Sequence, residues 1–182
     1  MVTGALAVSY YGRPRTTMDL DLVIKTCPEE SEKLSKTLVR AGVKTSVAKI
    51  ASAWGSGYRI VTCQDTRSPH SLDIILSDKP LRRMKGTLLG ICVFYHEPSQ
   101  LILAKLRMIK STRDPEKQAI DKADIRSIME SRKIPLRALS EGAIRDGTAA
   151  ILRGLLRGKY PKKGMKISTL TLRDKKSSAS RI

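Results

Sequence analysis

Asp19, Asp21 and Asp73 are the residues of this sequence best placed to do chemistry. Asp19-Leu20-Asp21 sets two carboxylates two positions apart, and in a strand such residues point to one face. Neighbouring carboxylates on one face repel unless a cation or several donors lie between them. The next residues, Leu22-Val23-Ile24, belong in a core, so the pair is expected on a rigid sheet and not on a loose turn. Asp73 repeats the pattern as one acid inside the apolar run Ser71-Leu72-Asp73-Ile74-Ile75. Three carboxylates on neighbouring strands would form an all-oxygen site suited to Mg²⁺ or Mn²⁺. Two such ions about 3.5–4 Å apart can clamp the attacking and leaving oxygens of a phosphoryl displacement. The same spacing also admits a structural use, with Asp19 and Asp21 paired to Arg13 and Arg15 at a strand end.

The flanking residues bear on that choice. Gly4-Ala5 at a helix start leaves backbone N–H groups free to hold a phosphate. Arg15 and Thr17 lie just before the acids, within reach of triphosphate oxygens. Lys105 sits among apolar helix positions, where it either reaches a phosphate or snorkels to the surface. Asp121 and Asp124, one helical turn apart, either orient Lys105 or Arg107 or form a solvated acidic face. Trp54 and Tyr58 flank Gly55-Ser56-Gly57 and suit packing more than base stacking. His70 and His96 have no partner spacing, and no Ser or Cys nucleophile sits in a recognisable elbow, which argues against a hydrolytic triad.

The elements that must position these groups follow from pattern. Ala5 to Tyr11 reads as a helix opened by Gly4, and Gly12-Arg13-Pro14-Arg15 as a loop. Met18–Lys25 reads as a strand. Thr26-x-Pro28-Glu29 has capping-box spacing and predicts a helix to about Ala41, ended by Gly42. Val47, Ile50, Ala51 and Trp54 fit one face of a second helix. Tyr58 to Cys63 and Leu72 to Leu76 are strands, and Leu88 to Tyr95 is a third β-like run. Pro98 and Pro115 each open a helix, the first with Leu101, Ala104 and Ile109 inward and Leu106 beside them. The second turns Ile120, Ile125, Ile128 and Met129 inward. One or two further helices with a basic face fill 135–158. The expected fold is α/β (α+β): a mixed front half over 1–97, a helical segment over 98–158, and a basic tail over 159–182.

Composition narrows the function classes. The 182 residues hold 41% hydrophobic but 4% aromatic residues, enough for an aliphatic core. Lys and Arg number 35 against 17 Asp and Glu, a net charge of +18 that favours a polyanionic partner. Residues 131–182 carry +11 of it, while the acids gather upstream. No run of about 18 apolar residues suggests a membrane span, and no secretion signal is visible. Cys27, Cys63 and Cys92 lack metal or disulfide spacing and read as small buried fillers. A soluble cytoplasmic protein is expected.

The run from Gly4 through Gly12-Arg13-Pro14-Arg15-Thr16-Thr17-Met18-Asp19-Leu20-Asp21-Leu22 resembles the opening motif of the DNA polymerase β-like nucleotidyltransferase superfamily. It is most similar to small prokaryotic members, the AbiEii-type toxins and minimal nucleotidyltransferases. Pro98 to Lys105 with Asp121-x-x-Asp124 resembles their helical segment, so the likeness covers roughly residues 2–130. It departs at Ala5, where the family pattern has Gly or Ser, and ahead of Gly4, where relatives usually have a further strand or helix. The resemblance implies a mixed sheet with flanking helices that binds a nucleoside triphosphate with two Mg²⁺ (or Mn²⁺). Asp19 and Asp21 would ligate the metals, and Asp73 would bind the catalytic metal and help deprotonate the acceptor hydroxyl. Gly4 and Ala5 would cradle phosphates. The implied reaction transfers a nucleoside monophosphate to a hydroxyl and releases pyrophosphate. The basic back half suits an RNA or tRNA acceptor, and the toxin relatives imply a neutralising, antitoxin-like partner. Two competitors stand beside this: a catalytically inactive member of the fold or basic RNA-binding protein, and a transferase for a small-molecule or protein hydroxyl.

Overall fold

A computed structural model gives the fold over residues 1–157; the basic tail expected from Lys159 lies outside these described residues. Helix α1 (Gly4–Tyr11) leads through the Gly12–Thr17 loop into strand β1 (Asp19–Lys25). A single 3₁₀ turn over Pro28–Glu30 precedes α2 (Ser31–Arg40), and β2 (Val43–Lys44) then leads to α3 (Val47–Gly55). Strands β3 (Ile60–Asp65) and β4 (Ser71–Ser77) follow, then the hairpin β5 (Arg83–Leu88) and β6 (Ile91–His96). The described residues close with α4 (Pro98–Ser111), α5 (Pro115–Ser131), α6 (Leu136–Arg145) and α7 (Ala149–Arg157). The mixed front half and helical back half are those expected from the pattern.

Strand order is β2-β3-β4-β1, with β1 and β4 parallel and the other neighbours antiparallel. Val2 joins the β5–β6 hairpin to this sheet by bridging Leu22 of β1 on one side and Tyr95 of β6 on the other. Its N–H donates to Phe94 O at 2.7 Å and its carbonyl accepts from His96 N at 2.8 Å. Alternation then divides the sheet. Leu20, Leu22, Val2 and Tyr95 turn inward to a core shared with α1, α4, α5, α6 and α7, built on Val8, Leu101, Ile102, Leu106, Ile125 and Leu139. Ile74 and Leu76 of β4, Val61 and Cys63 of β3, and Leu38, Ile50 and Ala53 of α2 and α3 form a second inner cluster. Asp19, Asp21 and Asp73 alternate with these and take the opposite, outer face.

Several expectations were displaced. The capping box does not form: Thr26 Oγ1 donates to Glu30 Oε2 at 3.0 Å, and the backbone makes a 3₁₀ turn before α2 begins. The run Leu88–Tyr95 is not one strand. It breaks at Leu89 and Gly90, both with positive φ (49° and 79°), the geometry of a tight two-residue hairpin turn. On α3 the inner face is Ile50 and Ala53, while Val47 and Ala51 point outward. On α5, Ile125 and Ile128 are buried, but Ile120 is 49% exposed. Cys63 is buried, Cys27 partly so, and Cys92, alternating with Val93, is exposed. Among the described residues, no helix is long and apolar enough to cross a membrane.

Candidate active site

The parallel pairing of β1 with β4 sets the site. Its register puts Asp21 beside Asp73 and Asp19 beside Ser71, so both pairs share the outer face. Asp73 Oδ1 is buried and has no hydrogen-bond partner among the described residues. Burial raises the Asp21 pKa above its ordinary value, and the nearby carboxylates of Asp73 and then Asp19 push the same way. Lys105 and the Ala5 N–H, which bonds Asp21, act against that rise. Two half-buried acids in register, one with an orphaned oxygen, form a site short of positive charge.

Helix α1 begins against this pair. Gly4 has φ 59°, and a Cβ there would collide with the Asp21 carboxylate. Glycine at this position is what lets the chain turn from Thr3 into α1 so close to the acid. Thr3 N donates to Asp21 O at 2.9 Å. The Thr3 hydroxyl bonds His96 Nδ1 at 3.0 Å, which fixes the entry to the helix from the side of β6. Burial, and next the charge of Arg107, push the His96 pKa down to about 4, so the ring is neutral at physiological pH.

The other expected site residues lie as follows. Asp19 accepts from Ser71 Oγ and so is turned along its own register pair. Among the described residues, no three His, Cys, Asp or Glu side chains gather as a metal-ligand cluster. A divalent cation fits the Asp21–Asp73 pair by charge and by the orphaned Oδ1; Asp19 would join it by releasing Ser71. The Thr17 hydroxyl bonds the Asp19 backbone, accepting from its N–H and donating to its carbonyl, both at 3.2 Å. Arg15 Nε pairs with Asp124 Oδ1 at 3.2 Å. Lys105 is buried, its ammonium held by Asp121 Oδ1 at 2.7 Å and Asp124 Oδ2 at 2.8 Å. Of the two alternatives for Asp121 and Asp124, orientation of Lys105 is the one the geometry carries; Arg107 pairs with Asp146 instead.

Arg13, named as a structural partner for the acids, pairs with Glu130 at 3.2 Å, so neither it nor Arg15 neutralises Asp19 or Asp21. With Arg15 and Arg126 it lines a cleft of about 390 Å³ between the Gly12–Thr17 loop and α5, adjoining the Lys105 cluster through Asp124. Trp54 is partly buried under the Arg59 guanidinium, 5.1 Å from the ring centroid, and Tyr58 is exposed. Sequence reasoning missed Ser71, Thr3 and His96. Ser71 was accessible in principle, because it stands two residues before Asp73 and therefore on the same face.

The fold is thus a mixed α+β one, with paired acids on the outer face of the sheet, helix α1 starting against them and a helical bundle behind. Among solved structures, the chain is similar to an antigenic nucleotidyltransferase-like protein from Paracoccidioides brasiliensis, with a TM-score of 0.52 and 13% identity over 88% of this chain and 85% of that one. At that identity the likeness establishes the fold. No protein-family model and no curated sequence matches the chain.

Proposed function

We propose that this protein is a metal-dependent nucleotidyltransferase that moves a nucleoside monophosphate from a nucleoside triphosphate to an acceptor hydroxyl, on RNA or tRNA. The observation that carries the reading is the in-register Asp21–Asp73 pair, with an orphaned buried oxygen and the glycine start of α1 against it. Asp21 and Asp73, joined by Asp19, would hold Mg²⁺ or Mn²⁺, the family implying two ions. Bound there, the metal would neutralise the acids and polarise the phosphoryl group. The acceptor oxygen forms a bond to the α-phosphorus as the bond to pyrophosphate breaks, and Asp73 takes the hydroxyl proton. Gly4 and Ala5, with Thr17, are the proposed phosphate-side residues; Arg15 and Lys105, expected beside them, are taken up by Asp124 and Asp121 instead. Within the superfamily we place the chain near the AbiEii-type and minimal members on the Gly4–Leu22 motif, with an antitoxin-like partner as the corollary.

Incubation with each labelled triphosphate, Mg²⁺ or Mn²⁺ and total RNA tests this. Labelled RNA is expected, with loss of signal by at least about 100-fold in Asp19→Ala and Asp21→Ala, the scale of removing a main electrostatic contribution. Labelling that survives both substitutions overturns the assignment. A second reading, an inactive member of the fold that binds RNA, is favoured by Asp19 on Ser71 and by Lys105 locked between two aspartates. It expects salt-dependent RNA binding, unchanged in those variants, and no transfer.

A further inference from the structure

The hairpin β5–β6 pairs Arg83–Leu88 with Ile91–His96 at the far side of Val2 from the acids. Its inner face is fixed. Tyr95 is buried and stacks on Tyr10, with centroids 4.0 Å apart and planes 5° from parallel, and its hydroxyl donates to Thr87 O at 3.0 Å. Gly86 makes room for this, since a Cβ there would meet the Tyr10 hydroxyl at 2.7 Å. The residues flanking Tyr95 therefore project from a rigid strand onto the outer face of the sheet, the face that bears the acids.

Register fixes who stands beside whom on that face. One rung runs Asp73, Asp21, Thr3, His96, Arg83. Two residues further along the strands, the next rung places Phe94 level with Val23 and paired with Lys85. Strand spacing puts Phe94 roughly 10–12 Å from Asp21. Phe94 is 40% exposed, and the Arg83 guanidinium lies 4.1 Å from its ring centroid. Lys79 to His96 contains four Lys or Arg and no Asp or Glu. Neither Arg83 nor Lys85 has a carboxylate partner among the described residues, in contrast to Arg13, Arg15, Arg59 and Arg107.

An exposed aromatic ring beside cations that have no carboxylate partner among the described residues, one of them lying over the ring, has the chemistry of a single-strand platform. The ring stacks a base whatever its identity, and the cations hold the phosphates on either side. We propose that the outer face of the β5–β6 hairpin binds single-stranded RNA, with Phe94 stacking a base, Arg83 and Lys85 holding the backbone, and the adjoining nucleotide presented to the Asp21–Asp73 rung. The last element rests on the nucleotidyl-transfer reading; the binding surface does not.

The test uses the full chain and a short fluorescent oligoribonucleotide, alone or annealed to its complement. Phe94→Ala is expected to weaken single-strand binding roughly 5- to 150-fold, the loss of one base–aromatic stack, and to leave duplex binding unchanged. Phe94→Trp restores it. Arg83→Ala and Lys85→Ala each flatten the slope of log affinity against log salt by about 0.7. Thermal melting of each variant checks that the fold is intact. Unchanged single-strand affinity in Phe94→Ala overturns the proposal, as does an equal loss for duplex. So does a Phe94-dependent affinity for anionic phospholipid vesicles with RNA binding unaffected. Phe94-dependent binding without any transfer by the wild type supports the platform and rejects the transferase. Transfer by Phe94→Ala with an unaltered KM for RNA does the reverse.

Discussion

Two groups of aspartates in this molecule have been treated in opposite ways. On α5, Asp121 and Asp124 lie one turn apart and are buried, and each is met by the Lys105 ammonium, with Arg15 closing the second oxygen of Asp124. On the sheet, Asp21 and Asp73 lie side by side, and one oxygen of Asp73 has no partner among the described residues. The helical cluster completes its own charge and needs nothing from outside. The sheet pair is left short of positive charge, although Arg13 and Arg15 are close in sequence and turn away to Glu130 and Asp124. Burying an acid without a counter-charge is costly, and the sheet pair is therefore where we propose that a cation binds. His96 sharpens the contrast, since burial drives it, like Asp21, toward its neutral form.

The largest effect is expected where the charges are complete. Lys105 exposes 9% of its side chain, Asp121 11% and Asp124 6%, so Lys105→Met leaves two carboxylates buried and short of a partner. Urea denaturation should show a loss of about 3–5 kcal/mol. Lys105→Met combined with Asp121→Asn should recover part of it. A Lys105→Met variant as stable as the wild type would remove the contrast between the regions.

Next in size is the pH response of the sheet side. The His96 pKa is lowered from 6.5 to about 4, so its contribution is fully present above 6.5 and is lost as pH falls toward about 4. The wild type should lose up to about 3 kcal/mol more than His96→Asn across that window, read from denaturation midpoints at stepped pH. Parallel slopes for the two proteins would mean that the ring titrates as it does in the unfolded chain.

Much of this contrast was legible in the residue order, and the rest was not, for definable reasons. The parity of Asp19 and Asp21 and the apolar setting of Asp73 gave the outer-face acids directly. That Asp19 bonds Ser71 depends on the parallel register of two strands some fifty residues apart, which local periodicity does not carry. The helix that buries Ile125 and Ile128 leaves Ile120 exposed, because its position lies off the stripe facing the core. The hairpin hid inside an apolar run because a leucine, not a turn-forming residue, takes the first positive-φ position, leaving Gly90 as the lone signal. The Lys105 cluster was visible as spacing; its closure by Arg15 came from a loop more than a hundred residues away.

The smallest effect bears most directly on the sheet pair. The Asp21 pKa is raised, first by burial and then by Asp73, so ionisation of Asp21 disfavours the fold. For a raised carboxyl, the favourable contribution is present below the ordinary value of 3.8 and is lost as pH rises through the folded-state value. Asp21→Asn should therefore be slightly more stable than the wild type at neutral pH, by less than about 1 kcal/mol, and the gain should vanish in acid. Millimolar Mg²⁺ should raise the melting midpoint of the wild type and have little effect on Asp21→Asn, because a cation that binds the folded pair shifts stability by mass action. Stabilisation by Asn without any response of the wild type to Mg²⁺ or Mn²⁺ would make the pair a strained structural feature. Equal responses in both proteins would place the cation elsewhere. A response confined to the wild type ties the unpaired charge of Asp21 and Asp73 to a metal, the property that Asp121 and Asp124, already closed by Lys105, should lack.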